Sequence, residues 1–474
     1  MERHPFYLGG EWKSPPESIE VRNPYTGDPV WEVARASKSD VAAAIDAAVA
    51  AAPGMRALKA YERAGILEAV AAGVKERKEE FARAMTSETG KPITFSRIEV
   101  DRTVFTFTAG AEEAKRIHGE VLPMDLAPHA ADRTGILRRF PLGPVGAITP
   151  FNFPLNLVAH KVAPAIAAGN SLVLKPSSAA PRTCLLLAEV VSGSGLPAGA
   201  LNVLPCASRD ITQLIEDERV KLITFTGSPA VGWDLKARAG RKRVTLELGG
   251  NAAVVVDEGV DWKATVKRIA LGAYGHAGQS CIAVQRVMVH ASIFKEFVRE
   301  FTEVSRSTPA GDPWDEKTVI GPMIDEDSAR KVEEWIREAL AEGAVLQCGG
   351  ERKGALLQPT VLTNVRSGMN VCANEVFAPV ATVEPFGTID EAIRMVNDSR
   401  YGLQAGVFTN NLSHALKAYE EIEAGGVILN DYPTFRIDHM PYGGVKASGF
   451  GREGLRYAIE EMTEPKLLVI RPGL

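Results

Sequence analysis

Lys221-Leu222-Ile223-Thr224-Phe225-Thr226-Gly227-Ser228-Pro229 is the stretch on which the fold turns. A short apolar run, rich in β-branched and aromatic residues, stops at Gly-Ser-Pro, as a buried strand does. Ser228 suits a helix cap, Pro229 suits the first helical position, and Gly227 permits close backbone approach. The result is a strand, a turn and a helix start. Its free N–H groups and positive dipole end would face an anion such as a pyrophosphate. The GxGxxG fingerprint is missing, so taken alone the stretch reads equally well as a plain loop-to-helix turn.

Working outward, the same pattern recurs. Val145-Gly146-Ala147-Ile148-Thr149-Pro150, Ser171-Leu172-Val173-Leu174-Lys175-Pro176 and Leu201-Asn202-Val203-Leu204-Pro205 precede it, and Val244-Thr245-Leu246-Glu247-Leu248 follows. Helical stretches at 160–168, 180–192 and 210–216 separate most of these runs. Strands alternating with helices predict βαβ units, a mostly parallel sheet and a ligand crevice at the strand C-terminal ends. A second α/β pattern fills about 252–450. The chain opens with an antiparallel β element, Tyr7 to Trp12 and Ile19 to Pro24, and turns helical from about Lys38 to Ile117 behind a start signal at Ser37-Lys38-Ser39-Asp40. A further β element begins near Gly135. The closing run Lys466-Leu467-Leu468-Val469-Ile470-Arg471 reads as an exposed strand in need of a partner, such as one from another subunit.

Composition narrows the function classes. The 474 residues are 45% hydrophobic and carry a net charge of −5, enough for two or three cored domains. The sequence pI of about 6.0, without a basic block, disfavours nucleic acid and anionic membranes. No run approaches the ~18 apolar residues of a membrane span, and Met1-Glu2-Arg3-His4-Pro5 lacks a secretory h-region. Cys184, Cys206, Cys281, Cys348 and Cys372 form no CxxC pair. That predicts a reduced, cytoplasmic setting and no structural zinc or other metal.

Two Gly-flanked turns hold a thiol and a carboxylate: Gly278-Gln279-Ser280-Cys281 and Glu247-Leu248-Gly249-Gly250. They read as a nucleophile and its base. Thiolate reactivity calls for a lowered pKa, often from a helix N-terminus, and the polar residues before Cys281 permit that placement. A small buried cysteine is the competing reading. Asn152, between aromatics in Pro150-Phe151-Asn152-Phe153-Pro154, is placed to donate to an oxyanion, or simply forms a turn. Lys175, at a strand end, could hold ribose hydroxyls or a phosphate, or be a solvated loop residue. Beside it Ser177 and Ser178 supply no acid to grip a ribose 2′-hydroxyl, which leaves room for a 2′-phosphate and predicts tolerance of NADP.

Together these motifs and their order resemble the NAD(P)-dependent aldehyde dehydrogenase superfamily. The likeness spans nearly the whole chain, from Gly9-Gly10-Glu11-Trp12 and Asn23-Pro24-Tyr25-Thr26-Gly27 to Pro441-Tyr442-Gly443-Gly444-Val445-Lys446-Ala447-Ser448-Gly449. It implies Cys281 as nucleophile, Glu247 as general base for deacylation, and Asn152 with the Cys281 backbone N–H as oxyanion hole. For NAD or NADP it implies Lys175 at the adenosine ribose, with Ser178 where NAD-selective members carry an acid, Ser228 at the pyrophosphate, and Thr226, Gly227 and Leu248 also in the cofactor site. Glu375 would hold the nicotinamide ribose, with Phe377 near the nicotinamide. This chain departs from the family's frequent residues at Asn374, where a second acid is common, and at Asn251, where Lys is frequent.

The nearest likeness is to the lactaldehyde and non-phosphorylating glyceraldehyde-3-phosphate branch. It implies oxidation of a small hydroxylated or anionic aldehyde to the acid through a cysteine thiohemiacetal and thioester. Arg436, with Arg102 and His160, could hold such a substrate. The competing reading pairs Arg436 with Asp438 or Asp431 and gives the other two structural hydrogen bonds. The implied architecture is a doubly wound Rossmann-type cofactor domain (1–119 and 142–249), a catalytic domain (250–450) and a β flap (120–141 and 457–474) that mediates a homodimer or homotetramer. Rival readings are a coenzyme A-acylating dehydrogenase, disfavoured by Glu247, a thiol esterase, which leaves Lys175, Ser228 and Glu375 without a task, and a non-catalytic structural relative.

Overall fold

The computed structural model describes residues 2–471. Its largest sheet has eight strands. Five of them are parallel and stand in the order Arg243–Glu247, Leu222–Thr226, Val145–Ile148, Leu172–Lys175, Leu201–Val203. The chain therefore starts in the middle, winds outward to one side, then returns to build the other. The switch falls between Val145–Ile148 and Leu222–Thr226, where crossovers diverge and leave a crevice beyond the strand C-terminal ends. The loops that open on that crevice are the ones containing Asn152 and Ser228. All five strands are buried on both faces, which explains their unbroken apolar runs.

The expected helices are present. Asn156–Ala168 is buried along its whole length and lies against Val145–Ile148 and its neighbours in one core. Ser37 caps Lys38–Ala57 with a full capping box to Asp40, as its sequence signature predicts. Ser228 occupies the cap position of Pro229–Arg238, with Pro229 in the first turn.

The opening differs from the single antiparallel element expected. Phe6–Leu8 and Glu11–Lys13 form a hairpin that extends the large sheet beside Leu201–Val203. Ser18–Arg22 instead pairs with Pro29–Ala34, which also takes Arg3–His4 as a parallel neighbour. Non-local pairing decides this, and the run at Pro29–Ala34 was not singled out as a strand. Gly449–Phe450 adds an antiparallel edge beside Arg243–Glu247, so the end of the second α/β region closes the first sheet.

The second sheet has seven strands, in the order Val345–Cys348, Thr360–Thr363, Val380–Phe386, Arg286–His290, Ala253–Val256, Gln404–Phe408, Gly426–Leu429, with only the first antiparallel. It meets the first sheet with the segments that precede its strands. Cys281 precedes Arg286–His290, Glu375 precedes Val380–Phe386, and Gly249 precedes Ala253–Val256. Those segments face the C-terminal ends of the first sheet across one cavity.

A third sheet joins Glu120–Pro123, Thr134–Pro141 and Thr463–Ile470. The closing strand thus finds its partner within the chain, in eight-residue register with Thr134–Pro141. It still forms the sheet edge, and Glu464 through Ile470 are exposed. Among the described residues no single helix is long and apolar enough to cross a membrane, and no cluster of three His, Cys, Asp or Glu side chains could hold a metal ion.

Candidate active site

A cavity of about 490 Å³ lies where the two larger sheets meet. Of the residues singled out in the sequence, Asn152, Thr226, Gly227, Ser228, Glu247, Leu248, Cys281, Glu375, Phe377, Arg102 and Arg436 line it. Lys175 and Ser178 lie outside that wall. Lys175 ends the neighbouring strand, buried, with Nζ donating to Pro176 O at 3.1 Å, and Ser178 is exposed in the turn beyond it. His160 is buried behind the cavity.

Cys281 does not stand at a helix N-terminus. It lies in a turn closed by Ala283 N donating to Ser280 O at 3.0 Å. Burial, with no helix dipole to oppose it, pushes the thiol up to about 12. The approach to this turn is a left-handed run, His276, Ala277 and Gly278, at φ 53°, 56° and 67°. Only the last is glycine, so the segment is held by its surroundings against its own preference. The Cys281 sulfur lies 3.1 Å from the Tyr442 hydroxyl.

Asn152 donates from Nδ2 to Gln279 O at 2.9 Å, which ties it to the cysteine turn. An amide nitrogen carries two hydrogens, so one N–H remains for a ligand. The Cys281 backbone N–H has no partner among the described residues. Two donors therefore converge beside the sulfur.

Glu247 ends its strand opposite Thr226. It is buried, and neither carboxylate oxygen has a partner among the described residues. Burial first, then the negative charge of Glu453, raises it well above the usual carboxylate range. Glu453 is buried too, but Lys161, His160 and Arg436 outweigh that burial and hold it at about 2. Lys161 forms an ion pair with Glu453 and donates to Thr226 Oγ1 at 2.7 Å. Gly443, at φ 154°, lets its loop pass close to Glu247; a Cβ there would come within 3.0 Å of Glu247 Oε1 and 2.8 Å of Gly451 O.

The expected substrate group is already committed to carboxylates. Arg102 binds Asp438 at 2.6 and 3.2 Å, and His160 Nε2 lies 2.9 Å from the same carboxylate. Arg436 pairs with Glu453 at 3.2 Å, whereas Asp431 pairs with Arg268. Burial first, then the nearby Arg436, lowers the His160 pKa against the pull of Asp438.

The cavity also holds groups that sequence reading passed over. Lys91 and Glu99 form a fully buried pair, with Lys91 Nζ 4.0 Å from the Phe153 ring centroid. His276 is buried on the wall with neither ring nitrogen partnered. Tyr442, in Pro441-Tyr442-Gly443-Gly444, lines the same wall. A lysine after a glycine at Gly90-Lys91-Pro92 is the kind of signal that could have marked the first.

A dinucleotide fits what is present. Ser228 makes no side-chain cap bond, so its hydroxyl and the N–H groups of the Pro229–Arg238 helix start are available to an anion. Glu375, accepting from Gly250 N at 3.0 Å and pushed by burial to about 7, crosses the floor close to Gly249. A Cβ at Gly249 would run into that carboxylate. Phe377 meets Phe151 edge to face at 6.0 Å.

The aldehyde dehydrogenase family model matches residues 12–468. The chain belongs to the aldehyde dehydrogenase family. It is accordingly an NAD(P)-dependent oxidoreductase with that family's α/β fold. The 3-sulfolactaldehyde dehydrogenase of Priestia aryabhattai is 47% identical over 99% of this chain and 98% of its own. The crystal structure of aldehyde dehydrogenase 21 from Physcomitrella patens, in complex with the reaction product succinate, has a TM-score of 0.97 at 45% identity and covers 99% and 98% of the two chains. Glyceraldehyde-3-phosphate dehydrogenase GapN from Methanocaldococcus jannaschii, complexed with NADP, has a TM-score of 0.92 at 40% identity, covering 96% and 99%.

Proposed function

We propose that this enzyme oxidises a short hydroxylated or acid-bearing aldehyde to its carboxylic acid, with Cys281 as nucleophile, Glu247 as general base and Asn152 as oxyanion donor. One observation carries the reading: these three residues share a single cavity wall with the Ser228 helix start and Glu375. The sulfur of Cys281 adds to the aldehyde carbon. The free Asn152 N–H and the Cys281 backbone N–H hold the resulting oxyanion, a contribution worth ~3–4 kcal/mol. NAD(P)+, when bound, supplies the acceptor for the hydrogen that leaves the former aldehyde carbon. Glu247, with a raised proton affinity and no partner to compete, then deprotonates the water that releases the acid and restores the thiol.

For the cofactor we assign Ser228, Gly227, Thr226 and Leu248 to the pyrophosphate side, Glu375 to the nicotinamide ribose, Phe377 to the nicotinamide, and Lys175 with Ser178 to the adenosine ribose. The absence of an acid at Ser178 supports use of NADP as well as NAD. Thr226 has a second duty, since its hydroxyl accepts from Lys161.

The substrate class draws support from the named relatives, whose named substrates or products are small and anionic. Within the cavity Arg102 is the cation best able to meet a charged tail, because its side chain is 27% exposed. Arg436 is fixed deeper, and His160 supports Arg102 through their shared Asp438. The proposed domains are 1–119 with 142–249 for the cofactor, 250–450 for catalysis, and 120–141 with 457–474 as the flap. The last three residues of that flap lie outside the described residues. The exposed edge strand Thr463–Ile470 supports a homodimer or homotetramer, and five free cysteines support a cytoplasmic setting.

The test is a kinetic panel, reading reduced nicotinamide with NAD and NADP separately. Its substrates are 3-sulfolactaldehyde, lactaldehyde, succinic semialdehyde, glyceraldehyde 3-phosphate and alkanals. Highest kcat/KM on a hydroxylated or anionic member supports the reading; uniform preference for long alkanals contradicts it.

A further inference from the structure

Tyr442 is buried, and the sulfur of Cys281, 3.1 Å away, is the one hydrogen-bond partner of its hydroxyl among the described residues. A buried phenol O–H ordinarily has a partner, so this contact fixes where the ring's polar end points. The backbone leaves it little freedom. Tyr442 N donates to Glu453 O at 3.0 Å, and Glu453 N returns a bond to Tyr442 O at 2.7 Å. Over the ring face the Arg436 guanidinium lies 3.7 Å from its centroid, held there by Glu453 at 3.2 Å and by His160 at 3.3 Å. A cation over an aromatic face draws electron density from the ring and makes the hydroxyl a better donor.

We infer that the Tyr442 hydroxyl is the donor that favours ionisation of the Cys281 sulfur against its burial as attack begins, with Arg436 strengthening that donor. The inference rests on the proposed role of Cys281 as nucleophile. Cys281 gives its proton to solvent, while Tyr442 keeps its own and directs it along the sulfur–oxygen line. When the sulfur electron pair forms the bond to the aldehyde carbon, the carbonyl electrons move to oxygen and the sulfur's charge disappears. The hydrogen bond then weakens. The charged groups facing this pair are Glu247 and Glu375, which oppose the thiolate, and Arg436, which favours it. The site lacks a helix N-terminus at Cys281, so the tyrosine and the guanidinium take the place a helix dipole would have.

The measurement is the rate of iodoacetamide alkylation of the full-length enzyme against pH, mapped by mass spectrometry. The other four cysteines are buried. In Tyr442→Phe the midpoint of the profile is expected to rise by about one pH unit, giving about tenfold slower alkylation near neutrality. The two rates should converge at high pH, where both sulfurs are ionised. An unmoved midpoint overturns the inference, as does a rate lowered equally at every pH, which marks a merely structural role. If Tyr442→Phe does not fold, 3-fluorotyrosine placed at 442 keeps the ring and the Arg436 contact. Its more acidic hydroxyl should lower the midpoint, and no movement overturns the inference. Cys281→Ala separates the two readings. Normal aldehyde oxidation by that variant sinks the nucleophile assignment itself. Its loss, together with an unmoved Tyr442→Phe midpoint, sinks only the tyrosine.

Discussion

Burial, and then the charge of Glu453 in the same site, raises the proton affinity of Glu247, while Glu453 itself, equally buried, stays ionised. The asymmetry comes from Lys161. Its ammonium pairs with Glu453 and keeps that group charged, and the fixed negative charge then disfavours a second one on Glu247. Two acids with separated proton affinities are what a general base working near neutral pH requires. Glu453→Gln should therefore move the rising limb of kcat against pH toward lower pH, by about one unit, since repulsion is removed and Lys161 is left free to attract. A limb that stays in place or moves upward would mean Glu453 does not act on the base.

Stability should carry the same signature with the opposite benefit. Glu247 stays protonated in the fold well above the usual carboxylate range, whereas the unfolded chain ionises it near pH ~4.3. Across that interval unfolding releases a proton, so stability falls as pH rises. Glu247→Gln has nothing to ionise there. Its melting temperature should exceed that of the wild type by a margin that widens as pH rises above the usual carboxylate range. Calorimetry at several pH values checks this, and a constant or shrinking margin contradicts it.

The Lys161–Glu453 pair is 0% and 2% exposed at its two side chains. Removing one partner of a buried pair typically costs ~3–5 kcal/mol, here toward the low end because Arg436 still faces Glu453 at 3.2 Å. Lys161→Met is expected to lose about that much in denaturant unfolding. Lys161→Met with Glu453→Gln should recover a substantial part of the loss. Additive losses in the double variant would show that the two residues do not depend on each other.

Ala277 adopts φ 56° without being glycine, a conformation that costs an L-residue roughly 1–2 kcal/mol. Ala277→Gly is expected to leave stability unchanged or raise it by up to ~1 kcal/mol. Ala270→Gly, within the helix Trp262–Tyr274, should lose at least ~1 kcal/mol. Denaturant midpoints of the two variants decide the matter, and equal losses would remove strain from the description of the cysteine turn.

Thr226 to Pro229 were legible in the sequence because cap and proline chemistry act over three or four residues. The parallel sheet was legible because doubly buried strands must be apolar throughout. The turn at Cys281 was not. Its left-handed His276 and Ala277 carry no local signal, since non-glycine residues take that conformation only when distant contacts impose it. Tyr442 and Lys91 stayed hidden for a related reason: their partners, Cys281 and Glu99, become neighbours only after the chain has folded. The opening strands went astray because Pro29–Ala34 competes for the second of them, a choice made by non-local pairing. The substrate cations were legible as residue types but not as pairs: Asp438 lies far along the chain from Arg102 and His160, and Arg436 passes over its near neighbours Asp431 and Asp438 for Glu453.

The most direct test is rapid-quench mass spectrometry of Glu247→Gln mixed with NADP and a preferred aldehyde of the panel. An acyl adduct on Cys281, formed as fast as one equivalent of reduced cofactor and decaying slowly, is the expected result. No adduct, or an adduct on any other residue while aldehyde is still oxidised, would contradict Cys281 and Glu247 as nucleophile and base.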